Sequence, residues 1–229
     1  GARLAMNLAI DKNTIIDKLF AGFAESAKGQ IVGSYVLGYN PDLKPYPYDF
    51  DQAKKLVADA KAAGVPTDST ELEFWAARGR LPHLEELAEA MVDAWNKAGL
   101  KTKVVIAESA QWRDAYAAVG PGKKRQTITI TGHGNELGDS AQSVEQLMTC
   151  NGARSTFCDK AVDEKVTKAM AAVGDERVRL FRELWKLAYD EALFVPLFQL
   201  KPIFGLSKRL NYEARADDNT LVQEMSVTE

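Results

Sequence analysis

A chain of 229 residues, 46% apolar and 27% charged, is long enough to bury a substantial core and too apolar to be disordered. Its net charge of −3, with Lys and Arg scattered along the chain, argues against nucleic acid or an anionic membrane as the main partner. No apolar run approaches the roughly 20 residues needed to span a bilayer.

The N-terminal stretch Arg3-Leu4-Ala5-Met6-Asn7-Leu8-Ala9-Ile10 reads as the middle of an amphipathic helix. No basic start followed by an apolar leader precedes it, so the chain is expected to be cut from a longer protein. Residues 29–48 combine glycines, Pro41, Pro45, Pro47 and four tyrosines, the composition of a long irregular segment. Segments of that length are usually functional or packed on another domain.

Helical spacing then dominates. Ala53, Leu56, Val57 and Ala60 repeat behind Asp49 or Asp51 as N-cap, and Gly64 ends the run. Leu84, Leu87, Ala88, Met91, Ala94, Trp95 and Ala98 form a second stripe. A third runs from Ser109 through Trp112, Ala115, Tyr116 and Val119 to Gly120-Pro121-Gly122. Asp159 is expected to cap a fourth helix, with Val162, Val166, Ala169 and Val173 inward. Asp175 is expected to cap a fifth, with Val178, Phe181, Leu184, Trp185 and Ala188 inward. Between them, Leu72-Phe74-Ala76, Leu100-Thr102-Val104-Ile106 and residues 126–131 alternate as strands do. Phe194-Val195-Pro196-Leu197-Phe198 reads as a further strand, whose proline favours an edge or the strand's start. Strands alternating with helices predict an α/β domain. The polar tail after Ser207, including Arg215-Ala216-Asp217-Asp218-Asn219, is expected to belong to a neighbouring lobe.

The loop Thr131-Gly132-His133-Gly134-Asn135-Glu136-Leu137-Gly138-Asp139-Ser140 follows a strand, where α/β domains place their ligands. Its glycines invite a dinucleotide reading. However, the third glycine comes one residue late for G-x-G-x-x-G, and Glu136 and Asp139 would set carboxylates against a pyrophosphate. No acidic ribose ligand follows about 20 residues on, and no Walker-type G-x-x-x-x-G-K-[ST] occurs. Catalytic constellations are equally poor. His83 and His133 are the only histidines, no G-x-S-x-G accompanies them, and a catalytic zinc site is not expected. His83 reads as an exposed first-turn residue, and His133 as a candidate ligand contact.

Trp95, Trp112 and Trp185 fall on inward helix faces. Arg78 and Arg80 sit in a short loop after Trp75 and could offer a fork to a carboxylate, or simply be solvated. Cys150 and Cys158 are spaced wrongly for a C-x-x-C pair. A disulfide closing a short Gly- and Ser-containing loop fits them better than two unrelated thiols, and implies an oxidising compartment.

Three segments in order resemble one family. Arg3-Leu4-Ala5-Met6-Asn7-Leu8-Ala9-Ile10-Asp11-Lys12 with Ile15-Ile16 and Leu19-Phe20-Ala21-Gly22 is the first. Gly38-Tyr39-Asn40-Pro41 with Tyr48-Asp49-Phe50-Asp51-Gln52-Ala53-Lys54-Lys55-Leu56 is the second. Asp175-Glu176-Arg177 through Asp190-Glu191-Ala192 to Val195-Pro196-Leu197-Phe198 is the third. They resemble stretches of the family 5 extracellular solute-binding proteins, the peptide, nickel and opine-type receptors of ABC importers.

The resemblance implies a periplasmic-binding-protein-like (type II) lobe, a mixed sheet flanked by helices. Residues 1–229 would be a single C-terminal ligand-binding lobe lacking its N-terminal partner, with 207–229 returning toward the missing lobe. It implies a non-enzymatic receptor, periplasmic or a cell-surface lipoprotein, that captures a peptide-like or other small solute between two lobes and delivers it to permease transmembrane subunits, without cofactor, metal or nucleic acid. His133, Asn135, Glu136, Asp139 and Arg80 would face the cleft. Peptide-binding relatives carry an acid for the peptide's amino terminus at the position matching His133, a departure that counts against simple peptides. Asp139 stands at the family's following "D-P" position, with Ser140 for the proline. Glu85 replaces an arginine of some dipeptide receptors, while Arg80 matches a "G-R-x-P" variant. The alternative is a small α/β enzyme using the 131–140 loop for a nucleotide.

Overall fold

The computed structural model describes residues 1–117, 127–135, 137–201, 203–215 and 220–228. Helix α1 (Ala2–Leu8) runs into α2 (Lys12–Leu19), whose cap Asp11 accepts the Thr14 N–H. A short strand β1 (Ala24–Ser26) precedes the irregular segment, which ends at α3 (Phe50–Ala62). Of the two candidate caps, Asp49 accepts the Gln52 N–H, while Asp51 lies in the first turn, where its charge suits the helix dipole. Then come β2 (Leu72–Ala77), α4 (Leu84–Lys97), β3 (Thr102–Ala107), α5 (Ser109–Ala117) and β4 (Thr127–Thr129). Three helices follow: α6 (Ala141–Met148), α7 (Lys160–Ala171) and α8 (Gly174–Asp190). The short strands β5 (Phe198–Leu200), β6 (Leu210–Asn211) and β7 (Ser226–Val227) complete the chain.

Strands β3, β2 and β4 form one parallel sheet in that order. Alternation along β2 separates its two faces. Phe74 and Ala76 enter the larger core with α4, where Trp95 meets Phe74 edge-on at 5.2 Å. Trp75 and Ala77 face the opposite way, toward Ala107 and Trp112 of α5. The sheet is thus covered by α4 on one face and α5 on the other. A second core lies under the irregular segment, where Val32, Val36 and Leu43 pack on α6, α7 and α8. The α/β class expected from the alternation is therefore present. Among the described residues, antiparallel pairing is confined to two small separate sheets, β1–β5 and β6–β7.

Three local expectations need correction. Val173 is 81% exposed because α7 ends at Ala171, and the helical period carries on in the letters but not in space. The cap of α8 is Val173, and Asp175 sits inside its first turn. The strand expected over 194–198 begins only at Phe198. Upstream, Pro196 has no N–H for a ladder, and the Phe194 carbonyl accepts instead from buried Asn7 Nδ2 at 2.9 Å. The predicted helix end at Val119–Gly122, Gln126 of the third strand and Ala216–Asn219 of the tail lie outside the described residues.

Candidate functional site

Parallel strands end together, and here Ala77, Ala107 and Thr129 bring three connections to one edge of the sheet. The chain leaves β2 for β3 on one side and crosses over to β4 on the other. The connections to α4 and α5 leave this edge for opposite faces of the sheet, and open α/β sheets leave a ligand crevice at such a point. The loops after β2 and β4 lie close together, since a Cβ built on Gly132 would stand 3.7 Å from Leu81 Cδ2.

The loop after β4 is held from below by its own side chains. Asn135 is 3% exposed; its Nδ2 donates to the Asp139 carbonyl at 2.8 Å and to Ser143 Oγ at 3.0 Å. His133, half-buried, sets its Nε2 2.8 Å from the same Ser143 Oγ. Asp139 receives both arms of the Arg177 guanidinium at 2.9 Å. Partial burial alone would raise the Asp139 carboxyl, but the Arg177 fork and the Ala141 N–H hold it below its ordinary range. Arg177 Nη1 also collects the Ala169 and Met170 carbonyls at the end of α7, at 3.0 and 2.9 Å.

From the other side, the irregular segment seals the loop. The Leu37 N–H donates to the Gly138 carbonyl (2.8 Å) and the Ser140 N–H to the Leu37 carbonyl (3.1 Å). Ser140 Oγ donates to the Leu37 carbonyl and accepts from Trp185 Nε1. Gly38, at φ +87°, must be glycine here, because a Cβ would stand 2.4 Å from Phe181 Cβ.

The loop after β2 offers different chemistry. Arg78 is paired with Glu85 and Glu108. Arg80 is exposed, and its guanidinium lies over the Trp112 ring, 4.7 Å from the centroid. Trp112 stacks on Tyr116 at 4.8 Å and 17°, and Arg154 covers the Tyr116 ring at 5.2 Å. Arg154 is brought there by the loop that the Cys150–Cys158 disulfide closes.

Of the residues singled out in the sequence, His133, Asn135 and Asp139 come together on one loop, and Arg80 stands on the loop that abuts it. Glu136 lies outside the described residues. Asn135 and Asp139 use their polar groups within the loop. Arg177, Ser143, Tyr116 and Arg154 were not anticipated. Arg177 lies in the third family-like segment, but its partner lies 38 positions away. A phosphate at the 131–140 loop would need the N-terminus of α6. The Ala141 N–H is instead donated to Asp139 Oδ1 at 2.7 Å, so the nucleotide reading fails on geometry. Among the described residues no group of three or more His, Cys, Asp or Glu is placed to hold a metal.

Comparison with known proteins gives a consistent picture. The family model described as bacterial extracellular solute-binding proteins, family 5 Middle, matches residues 1–155. The chain is 28% identical over 216 residues to the heme-binding protein A of Haemophilus influenzae, covering 91% of this chain and 38% of that protein. It is 27% identical over 199 residues to the dipeptide-binding protein of Escherichia coli, covering 83% and 35%. The structure of HbpA2 from Haemophilus parasuis superposes with a TM-score of 0.76 at 23% identity, over 100% of this chain and 45% of that one. The chain thus spans less than half the length of each.

Proposed function

Because the chain belongs to the bacterial extracellular solute-binding proteins of family 5, and shares the type II periplasmic-binding-protein fold of its neighbours, we propose that it is the C-terminal ligand-binding lobe of the substrate-binding component of an ABC importer. In this reading residues 1–229 supply one wall of a cleft. A second lobe, of the kind the greater length of the relatives allows for, closes over the solute by hinge motion, and the closed form is presented to the permease. The receptor works outside the cytoplasmic membrane, in the periplasm or anchored at the cell surface, and carries out no chemistry on its cargo. The tail after Ser207 runs toward the other lobe. Exposed Val222 and Val227 within it, and Ile203, Phe204 and Leu206 just before it, suit such a contact.

The observation that carries this reading is the carboxyl edge of the sheet, where the loops after β2 and β4 lie close together and Arg80 has no carboxylate partner among the described residues. We assign Arg80 and His133 to the ligand side. Asn135 and Asp139 act by holding the loop in shape. A peptide-like or other small solute is the cargo class this edge suits, since its donors are few and fixed by packing.

The test is to purify the full-length protein from its native host without denaturation and identify the co-purifying solute by mass spectrometry. A stoichiometric small molecule whose retention falls in the Arg80→Gln and His133→Ala variants supports the assignment. A protein that carries no solute, and whose deletion leaves uptake of small solutes unchanged, overturns it.

A further inference from the structure

Arginines among the described residues divide by partner, and Arg113, Arg182 and Arg209 face neither a carboxylate nor an aromatic ring. Arg3, Arg78, Arg177, Arg179 and Arg215 all face carboxylates. Arg80 and Arg154 face none among the described residues; each lies instead on an aromatic ring, and the two rings are stacked on each other. The order Arg80–Trp112–Tyr116–Arg154 therefore places two uncompensated positive charges around one aromatic pair. They can be no further apart than the three contacts laid end to end. Both arginines are exposed, so water reaches them, and a guanidinium resting on a ring keeps N–H donors for an anion.

Two features show that this is a built arrangement. Trp112 is 2% exposed, yet its Nε1 has no hydrogen-bond acceptor among the described residues, an uncommon state for a buried indole. The loop bearing Arg154 is closed by a covalent bridge and pinned by the Arg154 N–H to the Gln146 carbonyl. Gly152 in it passes so close to the Glu145 and Gln146 carbonyls that a Cβ would stand 2.5 Å away. A rigid loop thus delivers one guanidinium and the turn after β2 the other.

Resting on the receptor reading above, we infer that the cargo is a small solute with two carboxylates, one taken by Arg80 and the other by Arg154, across the Trp112–Tyr116 pair. The described residues of the edge provide no free acid for a ligand ammonium. Asp139 is held by Arg177, and Glu85 and Glu108 are held by Arg78. Among the described residues, a blocked amino terminus therefore costs the ligand nothing there.

Two probes differing by one carboxylate separate the possibilities: N-acetyl-alanyl-glutamate and N-acetyl-alanyl-glutamine. Binding to the full-length protein is read by calorimetry, with thermal melts confirming that the exposed-arginine variants fold. The expected result is that the glutamate probe binds about tenfold or more tighter, the value of one charged fork. Of Arg80→Gln and Arg154→Gln, the one that removes the partner of the side-chain carboxylate should abolish that preference, and the other should weaken both probes about tenfold while keeping it. Equal affinity for the two probes, no binding of either, or a preference that survives both substitutions overturns the two-carboxylate assignment. None of these outcomes touches the receptor reading, which stands or falls on the co-purifying solute.

Discussion

At the scale of single residues, what separates Arg177 from Arg80 and Arg154 is burial with partners. Arg177 joins Asp139 to the carbonyls ending α7 and lies over the Phe181 ring. Arg177→Leu leaves Asp139 and those carbonyls unpaired and should cost about 3 kcal/mol in urea unfolding. Arg80→Gln should stay within about 0.5 kcal/mol. Because the Asp139 carboxyl is held below its ordinary range, the pair stabilises the fold above the ordinary carboxylate pKa and is lost as pH falls. The Arg177→Leu variant should lack that part of the acid-side loss. Lys12 is the opposite case: it is 4% exposed, its Nζ has no hydrogen-bond partner among the described residues, and it sits 5.3 Å from the Tyr46 ring centroid. Burial pushes its amine from 10.5 down to about 8. Between those values the unfolded chain holds more protons than the folded one, so stability should climb as pH rises from 8 toward 10.5. Lys12→Met, which removes the buried charge and keeps the volume, should raise the melting temperature at pH 7 and flatten that climb. A variant less stable than the parent at pH 7 would contradict the account.

At the scale of elements, the bridge between Cys150 and Cys158 matters because of what it joins. It links the end of α6 to the start of α7, where Asp163 accepts the Cys150 N–H at 2.8 Å and buried Ser155 Oγ donates to the Phe157 carbonyl. Replacing both cysteines by serine should cost about 2–3 kcal/mol from loop-closure entropy. Hydrogen exchange should quicken at the Arg154 and Ser155 amides, leaving α4 and the β2–β3 pair unchanged; unaltered exchange over 150–158 would show the loop is held without the bridge. Elements were legible wherever one face is buried along their whole length. Met91 and Trp95 of α4, and Phe181, Leu184 and Trp185 of α8, sit in the cores that their spacing predicts. The period misled at Val173, because a helix stops where its backbone partners stop. The apolar run at 194–198 was equally ambiguous: burial there is met by packing on the larger core, without a strand.

At the scale of the whole molecule, a cleft wall holds ligand only when the facing wall is present. The 229-residue chain alone should bind the co-purifying solute at least about a hundredfold more weakly than the full-length protein, as calorimetry on both would show. Equal affinities would place the entire site within this chain. The α/β class, the helix faces, most caps and the cysteine pair were all determined by the sequence by itself. Each depends on neighbours close along the chain, through periodicity, capping or short-loop closure. What only the tertiary structure decided is which polar groups at the carboxyl edge of the sheet remain available. Asp139 looked like a ligand contact until Arg177 reached it from α8, and Arg154 looked like a loop residue until the bridge carried it to Tyr116. A charge is free or committed according to partners in space, and those partners lie dozens of residues away, beyond the reach of any local pattern.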